Sequence, residues 1–466
     1  MTTPLWSHQQ DALDFVQSCL SKGPGAAIFA GMGAGKSRVA IETVLANDCR
    51  KVLILGPKSV VRNVWDEQWR LYAPDWTCLG LGDGPVARRM ETVKANRDRD
   101  RIAIVLNYDT VYRSGVERTL GSIPWDAIIL DESHRIAKPS GKISRAVARL
   151  ARRIPVRLAL TGTPISSSAG PLAIYGQYRA VNPAIYQRTY TEFRSTYTQP
   201  CGYKDEPDGF LPPRGGGVPQ PWKFANLDDL ETRMASIAYR IETAQALDLP
   251  GETDLERVCD LEPSARTMYR DLEHDLITDI EAGVVSVTNA LTRLLRLQQL
   301  SGGWLKTDEG IAARVSTAKS KLLADVMEDL PRDEPLVVFC RFRKDLDTVA
   351  AVCAAARRPC YELSGRRDDL RRWKSVVRSG PVIAVQILAG GLGSSLGEAH
   401  TAVWFSLGYS LTDYEQARAR LHRPGQAYPV TYIHLLTRGT VDAEVYQALA
   451  RRADLVAETL AGLLAR

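Results

Sequence analysis

The run Ala30-Gly31-Met32-Gly33-Ala34-Gly35-Lys36-Ser37 follows a short apolar stretch and opens a helical pattern. That is the setting a phosphate-binding loop requires. Glycines at 33 and 35 let backbone N–H groups turn inward around phosphate oxygens, and the helix start adds partial positive charge. Lys36 is placed to reach the β- and γ-phosphates of ATP, and the Ser37 hydroxyl to hold Mg²⁺. The strict form of the loop has Gly where this chain has Ala30. The competing reading is a Gly-rich turn that binds nothing, and the strand-to-helix setting disfavours it.

Two acids, Asp131 and Glu132, end the apolar run Ile128-Ile129-Leu130 and precede Ser133-His134. The tip of a buried strand is where a sheet's ligand site belongs. Asp131 suits Mg²⁺ through water, and Glu132 suits proton abstraction from an attacking water. An isolated acid pair after a strand is an ordinary solvated strand end; a P-loop upstream changes that weighting. His134 has two even readings, a relay to the rest of the molecule or a bond within its own loop. Thr161-Gly162-Thr163-Pro164 puts two hydroxyls about a glycine, either a γ-phosphate sensor or a plain turn. Far downstream, Gln416 to Gln426 spaces Arg420 and Arg423 three apart, on one face if helical. Guanidinium groups so placed can neutralise charge on leaving phosphates; the bland alternative is a basic face that meets phosphate or water. Upstream of them, Ala389-Gly390-Gly391-Leu392-Gly393-Ser394-Ser395 is a second Gly-rich loop. Its amides, Gly391 included, suit either nucleotide or a nucleic-acid phosphate.

Positioning these residues demands strands. Ala26–Ala30, Val52–Leu55, Ile102–Leu106, Ala127–Leu130 and Leu158–Leu160 are short apolar runs, each ending in a polar or Gly/Pro loop. Runs of this kind fit strands buried on both faces of a parallel sheet. Helical patterns lie between them, as at Lys36–Ala46 and Lys142–Ala151. The rhythm returns at Leu336–Cys340, Val382–Gln386, Ala402–Ser406 and Val430–Leu435. The expectation is α/β: two doubly wound parallel-sheet lobes, residues 1–180 and 311–466, with a helical insertion at 181–310. Within that insertion Leu227–Ala238 and Ser264–Leu300 read as helix, and the Pro/Gly-rich Gln199 to Trp222 as irregular loop.

Composition narrows the class. A chain of 466 residues holds several domains with full cores. The formal charge of +6 suits a polyanionic partner without requiring one. No apolar run is long enough to cross a bilayer, and the N-terminus lacks the pattern of an export signal. The eight cysteines form no CxxC pair, which argues against structural zinc and a disulfide framework. The expected setting is a reducing cytoplasm, that of a host if the source is viral.

Taken in order, these blocks resemble the Swi/Snf-type DNA translocases of helicase superfamily two. Leu5-Trp6-Ser7-His8-Gln9 is similar to the family's N-terminal glutamine motif, which implies that Gln9 reads adenine. Leu53 to Val61 with Trp65, Trp125 to Pro139, Leu291–Gln299 and Val337 to Phe342 resemble further family blocks, and Phe193 to Leu227 looks most like the annealing-helicase (HARP-like) branch. The resemblance implies two RecA-like lobes and ATP hydrolysis coupled to tracking along double-stranded or branched DNA. It also implies backbone contacts from Lys58, Asn107, Tyr108, Arg341, Ser394 and Ser395, although a solvated surface is an even reading for Lys58 and Arg341. The chain departs from the family at Tyr409-Ser410-Leu411, where Trp-Asn-Pro is usual, at Tyr414, and at Ser395 in place of Asn. With no room for a reader module, the expectation is a compact monomeric motor of bacterial, archaeal or phage origin, partnered by replication or recombination proteins. Three activities remain open: duplex translocation, strand separation, and nucleotide-dependent displacement of proteins such as RNA polymerase from DNA.

Overall fold

The computed structural model describes residues 4–31, 33–165, 170–186, 189–201, 209–211, 220–241, 249–281, 287–306, 312–387, 395–408, 410–447 and 449. The chain divides into two compact units, Met1–Leu247 and Asp248–Arg466.

The first unit is built on β1 (Gly25–Ala30), β2 (Lys51–Gly56), β3 (Thr77–Leu81), β4 (Ile102–Asn107), β5 (Ala127–Asp131) and β6 (Val156–Thr161). A short hairpin-like group, β7 (Thr198–Pro200), β8 (Gly209–Leu211) and β9 (Gln220–Phe224), precedes β10 (Ala238–Ile241). The main sheet runs β10-β1-β6-β5-β2-β4-β3 and every pairing in it is parallel. Strands β1, β4 and β5 are buried along their whole length because helices cover both faces, which explains their unbroken apolar sequences. Helix α1 (Ser7–Leu20) precedes the sheet, α2 (Lys36–Ala46) follows β1, and α3 (Lys58–Tyr72) follows β2. A parallel sheet gathers all strand C-termini at one edge. The turns after Ala30, Gly56, Asn107, Asp131 and Thr161 therefore sit side by side, and the phosphate-binding loop, the acid pair and the Thr-Gly-Thr-Pro turn lie among them.

The second unit contains β11 (Glu252–Cys259), the hairpin β12 (Trp304–Lys306) and β13 (Ala312–Arg314), then β14 (Leu336–Cys340), β15 (Cys360–Leu363), β16 (Val382–Gln386), β17 (Thr401–Trp404) and β18 (Val430–Thr437). Its sheet, β11-β18-β17-β14-β16-β15, is again wholly parallel. Phe339, Trp373, Trp404 and Tyr432 fill one side of it. Two parallel α/β sheets of this kind are RecA-like lobes, as the strand pattern implies.

Contacts divide the chain into two units where the sequence pattern suggests three segments. The segment 181–310 forms no unit of its own: it is split after Leu247, and each part adds an edge strand to a lobe. In the first unit β10 pairs with β1, and Tyr178 and Tyr186 donate their hydroxyls to the carbonyls of Met234 and Leu230 on helix Leu227–Ala235. In the second, β11 pairs with β18. Both strands escape a search for apolar runs: β10 is four residues long and broken by Arg240, while β11 faces water, reading Glu-Thr-Asp-Leu-Glu-Arg-Val-Cys with seven of its eight residues exposed. The helical stretch Ser264–Leu300 holds two helices, Pro263–Glu281 and Val287–Ser301. The stretch Gln199 to Trp222, read as irregular, contributes to the sheet β7-β9-β8.

Candidate nucleotide site

The loop after β1 turns on two glycines with left-handed backbone, Gly33 and Gly35, each at φ +80°. A Cβ at position 35 would meet the side-chain amide nitrogen of Gln9, which places Gln9 directly against the loop. Gln9 is buried on α1, and its side-chain carbonyl accepts from the Trp6 backbone N–H at 3.0 Å. The adjacent His8 ring nitrogen lies 3.0 Å from the Ala34 carbonyl. The N-terminal helix thus grips the loop, and Gln9 stands beside it. Lys36 and Ser37 begin α2. Lys36 Nζ donates to the carbonyls of Ala30 at 2.7 Å and Gly31 at 3.0 Å. Burial pulls its ammonium below the ordinary lysine value, with the charges of Glu132 and Asp131 opposing.

Asp131, the last residue of β5, is buried, and its carboxylate accepts from the Trp65 indole N–H at 2.9 Å. Burial pushes this carboxyl up to about 7; the Glu132 charge adds to the shift, while the Trp65 bond and the Lys36 charge oppose it. Glu132 is held in the left-handed region at φ +52°, a conformation that costs a non-glycine residue on the order of 1 kcal/mol or more and collects at functional sites. Burial acts to raise Glu132 also. The hydrogen bond and charge of His134, the charge of Lys36 and the bond from Thr161 outweigh it, so this carboxyl sits below the ordinary glutamate value. One buried acid is thereby biased to keep its proton and its neighbour to lose it.

His134 Nδ1 lies 3.1 Å from Thr161 Oγ1 and 3.3 Å from Glu132 Oε2. Of its two readings, the structure shows the bond within the site. Thr161 Oγ1 donates to Glu132 at 3.4 Å and accepts from the Thr163 N–H at 3.1 Å, which joins the strand-end acids to the Thr-Gly-Thr-Pro turn. Behind them Gln177, fully buried, accepts from Ser133 at 2.7 Å and donates to the Pro164 carbonyl at 2.7 Å. Sequence reading missed Gln177 and the role of Trp65, since neither carries a spacing that points to a partner so far along the chain.

Among the described residues, no three His, Cys, Asp or Glu side chains converge as an all-protein metal cage. One hydroxyl, one buried carboxylate needing positive charge, and a glycine cradle instead fit Mg²⁺ carried by a phosphate ligand, which keeps several waters and needs few protein oxygens.

In the second unit Arg420 is 4% exposed, with Nε and Nη1 lacking a hydrogen-bond partner. Burial lowers it to about 10, Asp413 opposing. Its carbonyl accepts from Leu396 N–H at 2.9 Å, and Arg423 packs its side chain 3.6 Å from where a Cβ on Gly397 would stand. Buried Gln426 donates to the carbonyls of Ala399 at 2.9 Å and Gly397 at 3.3 Å. The arginine segment and the end of the second Gly-rich loop are therefore one packed piece. Gly391 and Ser394 lie outside the described residues; Ser395 is half-buried and its hydroxyl accepts from Gly397 N–H at 3.4 Å.

The nucleic-acid candidates divide. Lys58, the first residue of α3, keeps its side chain 64% exposed beside Asp83 at 3.6 Å. Asn107 and Tyr108 are corrected: both are internal. Asn107 Oδ1 accepts from Arg89 at 2.8 Å and Thr110 at 2.6 Å, and buried Tyr108 donates its hydroxyl to the Asp131 carbonyl at 2.9 Å. At a strand end packed beneath α3 and the acid turn, both side chains are used to support the site. Arg341 is corrected in part. It is half-buried, donates to Gln298 Oε1 and lies 5.3 Å over the Phe342 ring, so its guanidinium braces the second unit.

Comparison with known proteins agrees with this geometry. The model of the SNF2-related domain family matches residues 8–302. The mouse (Mus musculus) chromodomain-helicase-DNA-binding protein 1-like is 24% identical over 98% of this chain and 50% of its own length. The mouse DNA repair and recombination protein RAD54B is 22% identical over 94% of this chain and 54% of its own. The chain thus spans about half the length of these curated relatives. The solved Sulfolobus solfataricus SWI2/SNF2 ATPase core in complex with dsDNA aligns over 98% of this chain and 92% of that one, at 21% identity and a TM-score of 0.45. With well over half of its length matched by the family model, the chain belongs to the SNF2-related domain family.

Proposed function

We propose that the chain is an ATP-driven translocase on double-stranded or branched DNA, acting in the remodelling of replication, recombination or repair intermediates. The observation that carries the reading is the linked set Gln9, Gly35, Lys36, Asp131, Glu132, His134 and Thr161 at one sheet edge. ATP phosphates sit in the Gly33–Gly35 cradle against Lys36. Ser37 and Asp131 would hold Mg²⁺, which when bound would supply charge neutralisation at the phosphates. Glu132 stays ionised through His134 and Thr161 and takes the proton of the attacking water. Arg420 and Arg423 supply further positive charge to the phosphates during turnover. The family membership and its relatives, among them a DNA repair and recombination protein, support the choice of DNA.

The deciding experiment is the ATPase rate of the purified chain with no DNA, single-stranded, duplex and forked DNA, paired with a strand-displacement assay. Stimulation by duplex or fork without obligatory strand separation is expected. A rate indifferent to all four conditions overturns the reading. Duplex affinity should also fall with salt, with a log–log slope of about −0.9 per neutralised phosphate.

A further inference from the structure

The opposite edge of the first sheet, where the strands begin, carries a feature the nucleotide chemistry does not use. Helix Lys142–Ala151 ends there, and Arg152 and Arg153 form the turn into β6. Across from them Arg118 lies on helix Val116–Gly121. These arginines and Arg149 line a hollow of about 810 Å³. Its one acid, Glu117, is already committed: both its oxygens accept from Arg149, at 2.7 and 2.6 Å. Arg118, Arg152 and Arg153 are exposed and carry no ion pair among the described residues. A second hollow of about 620 Å³ shares Arg152 and continues past Arg179 to Tyr175 and Tyr190. Arg179 Nε is a buried donor with no acceptor. Arg145, Arg149 and Arg152 all bear on Arg179 with like charge. A group of arginines with so little paired acid attracts a polyanion. The strands are five to six residues long, so this edge lies roughly 17–20 Å from the ATP loops.

We propose that this groove is a second nucleic-acid site, which holds a single strand by its phosphates on Arg118, Arg152 and Arg153 and by base stacking on Tyr190. The charge alone would suit any polyanion; the tyrosine wall beyond it selects a strand with free bases. Duplex DNA offers phosphates but no open base face, whereas arginine beside an aromatic ring is the pattern of single-strand binding. A chain working on branched DNA, as proposed above, meets both forms.

The test uses a fluorescent oligothymidylate of about 16 nucleotides, read by anisotropy without ATP and with excess unlabelled duplex present. The parent binds it. The pair Arg152→Gln/Arg153→Gln weakens binding about tenfold or more and makes the salt slope shallower by about 1.4, at 0.7 per phosphate for single strands. Tyr190→Ala weakens it at least about fivefold, the lower end for one stacked base. Thermal unfolding and ATPase rate at saturating duplex stay at parent values in the arginine pair, since those residues are exposed and distant from the nucleotide. Unchanged oligothymidylate affinity in the arginine pair overturns the proposal. So does a result in which polyglutamate binding, and not oligothymidylate binding, is lost, because the groove then serves an acidic protein. A parent that binds oligothymidylate but shows no DNA-stimulated ATPase would sink the translocase reading and leave this site standing.

Discussion

At the scale of single residues, the two strand-end acids differ in role because their surroundings differ. Asp131 receives one neutral donor, Trp65, while Glu132 receives His134 and Thr161. Glu132→Gln keeps shape and hydrogen bonding but loses the basic oxygen. ATP binding should persist while turnover falls by roughly 10²–10⁴-fold, measured by nucleotide titration and steady-state hydrolysis. Trp65→Phe should act through the proton on Asp131. Losing that bond raises further a carboxyl already at about 7, so at neutral pH more of it is protonated and Mg²⁺ is held less well. The Mg²⁺ concentration for half-maximal hydrolysis should rise about tenfold, the equivalent of ~1.4 kcal/mol. The defect should shrink as pH is raised above 8, because the carboxylate is then restored. A defect independent of pH would show that Trp65 acts by packing alone.

At the scale of elements, helix Ile174–Val181 lies directly on the acid turn. A Cβ on Gly176 would collide with the Ile136 carbonyl and stand 2.7 Å from that of Ala137. Glycine inside a helix costs about 1 kcal/mol against alanine, so Gly176→Ala would stabilise an isolated helix. Here the neighbour is backbone and cannot yield. The substitution should destabilise the first unit by roughly 1–3 kcal/mol and impair hydrolysis by displacing Gln177 from Ser133, as read by urea unfolding and ATPase rate. The arginine segment after helix Leu411–Arg418 makes a contrasting case. Arg423→Ala should leave ATP and DNA binding intact and lower hydrolysis at saturating DNA by about 10³–10⁵-fold, the worth of an arginine that stabilises phosphoryl transfer. Arg423→Lys should restore little, since a point charge does not reproduce the planar fork. Full hydrolysis at saturating DNA would instead make Arg423 a DNA contact.

At the scale of the whole molecule, acid sensitivity should reside in the second unit. His434 is fully buried on β18, 3.0 Å from the Tyr414 hydroxyl, and burial lowers its pKa from 6.5 to about 4, Asp254 opposing. The unfolded chain therefore binds this proton more readily than the folded one. Its stability contribution is intact above pH 6.5 and is lost as pH falls from 6.5 towards 4, by up to about 3 kcal/mol. His434→Gln keeps a partner for Tyr414 and cannot titrate. The difference in urea midpoint between parent and variant should vanish near pH 7.5 and widen towards pH 4 in the variant's favour. A constant difference would place the acid response elsewhere. No helix among the described residues is long and apolar enough to cross a membrane.

The chemistry of the first unit was legible in the sequence because a parallel sheet writes it locally. Each motif follows a strand buried on both faces, so an apolar run followed by Gly, Asp-Glu or Thr-Gly-Thr marks both the element and the functional turn, and helices Lys36–Ala46 and Lys142–Ala151 coincide with their periodicity. Strands β3, β10 and β11 were not legible: β3 is interrupted by Gly80 and β10 by Arg240 within four or five residues, and β11 is a polar edge strand that resembles loop. Nor could spacing divide the linker between lobes, because pairing of β10 with β1 and of β11 with β18 is non-local. The same limit applied to Asn107, Tyr108 and Arg341. As residue types they suit a phosphate contact, and only tertiary burial turned them inward onto Arg89, Asp131 and Gln298. The basic groove shows the limit most plainly. Its arginines come from three helices and a turn and its tyrosines from two helices, and only the folding of the β4–β5, β5–β6 and β6–β10 connections onto one sheet edge brings them together.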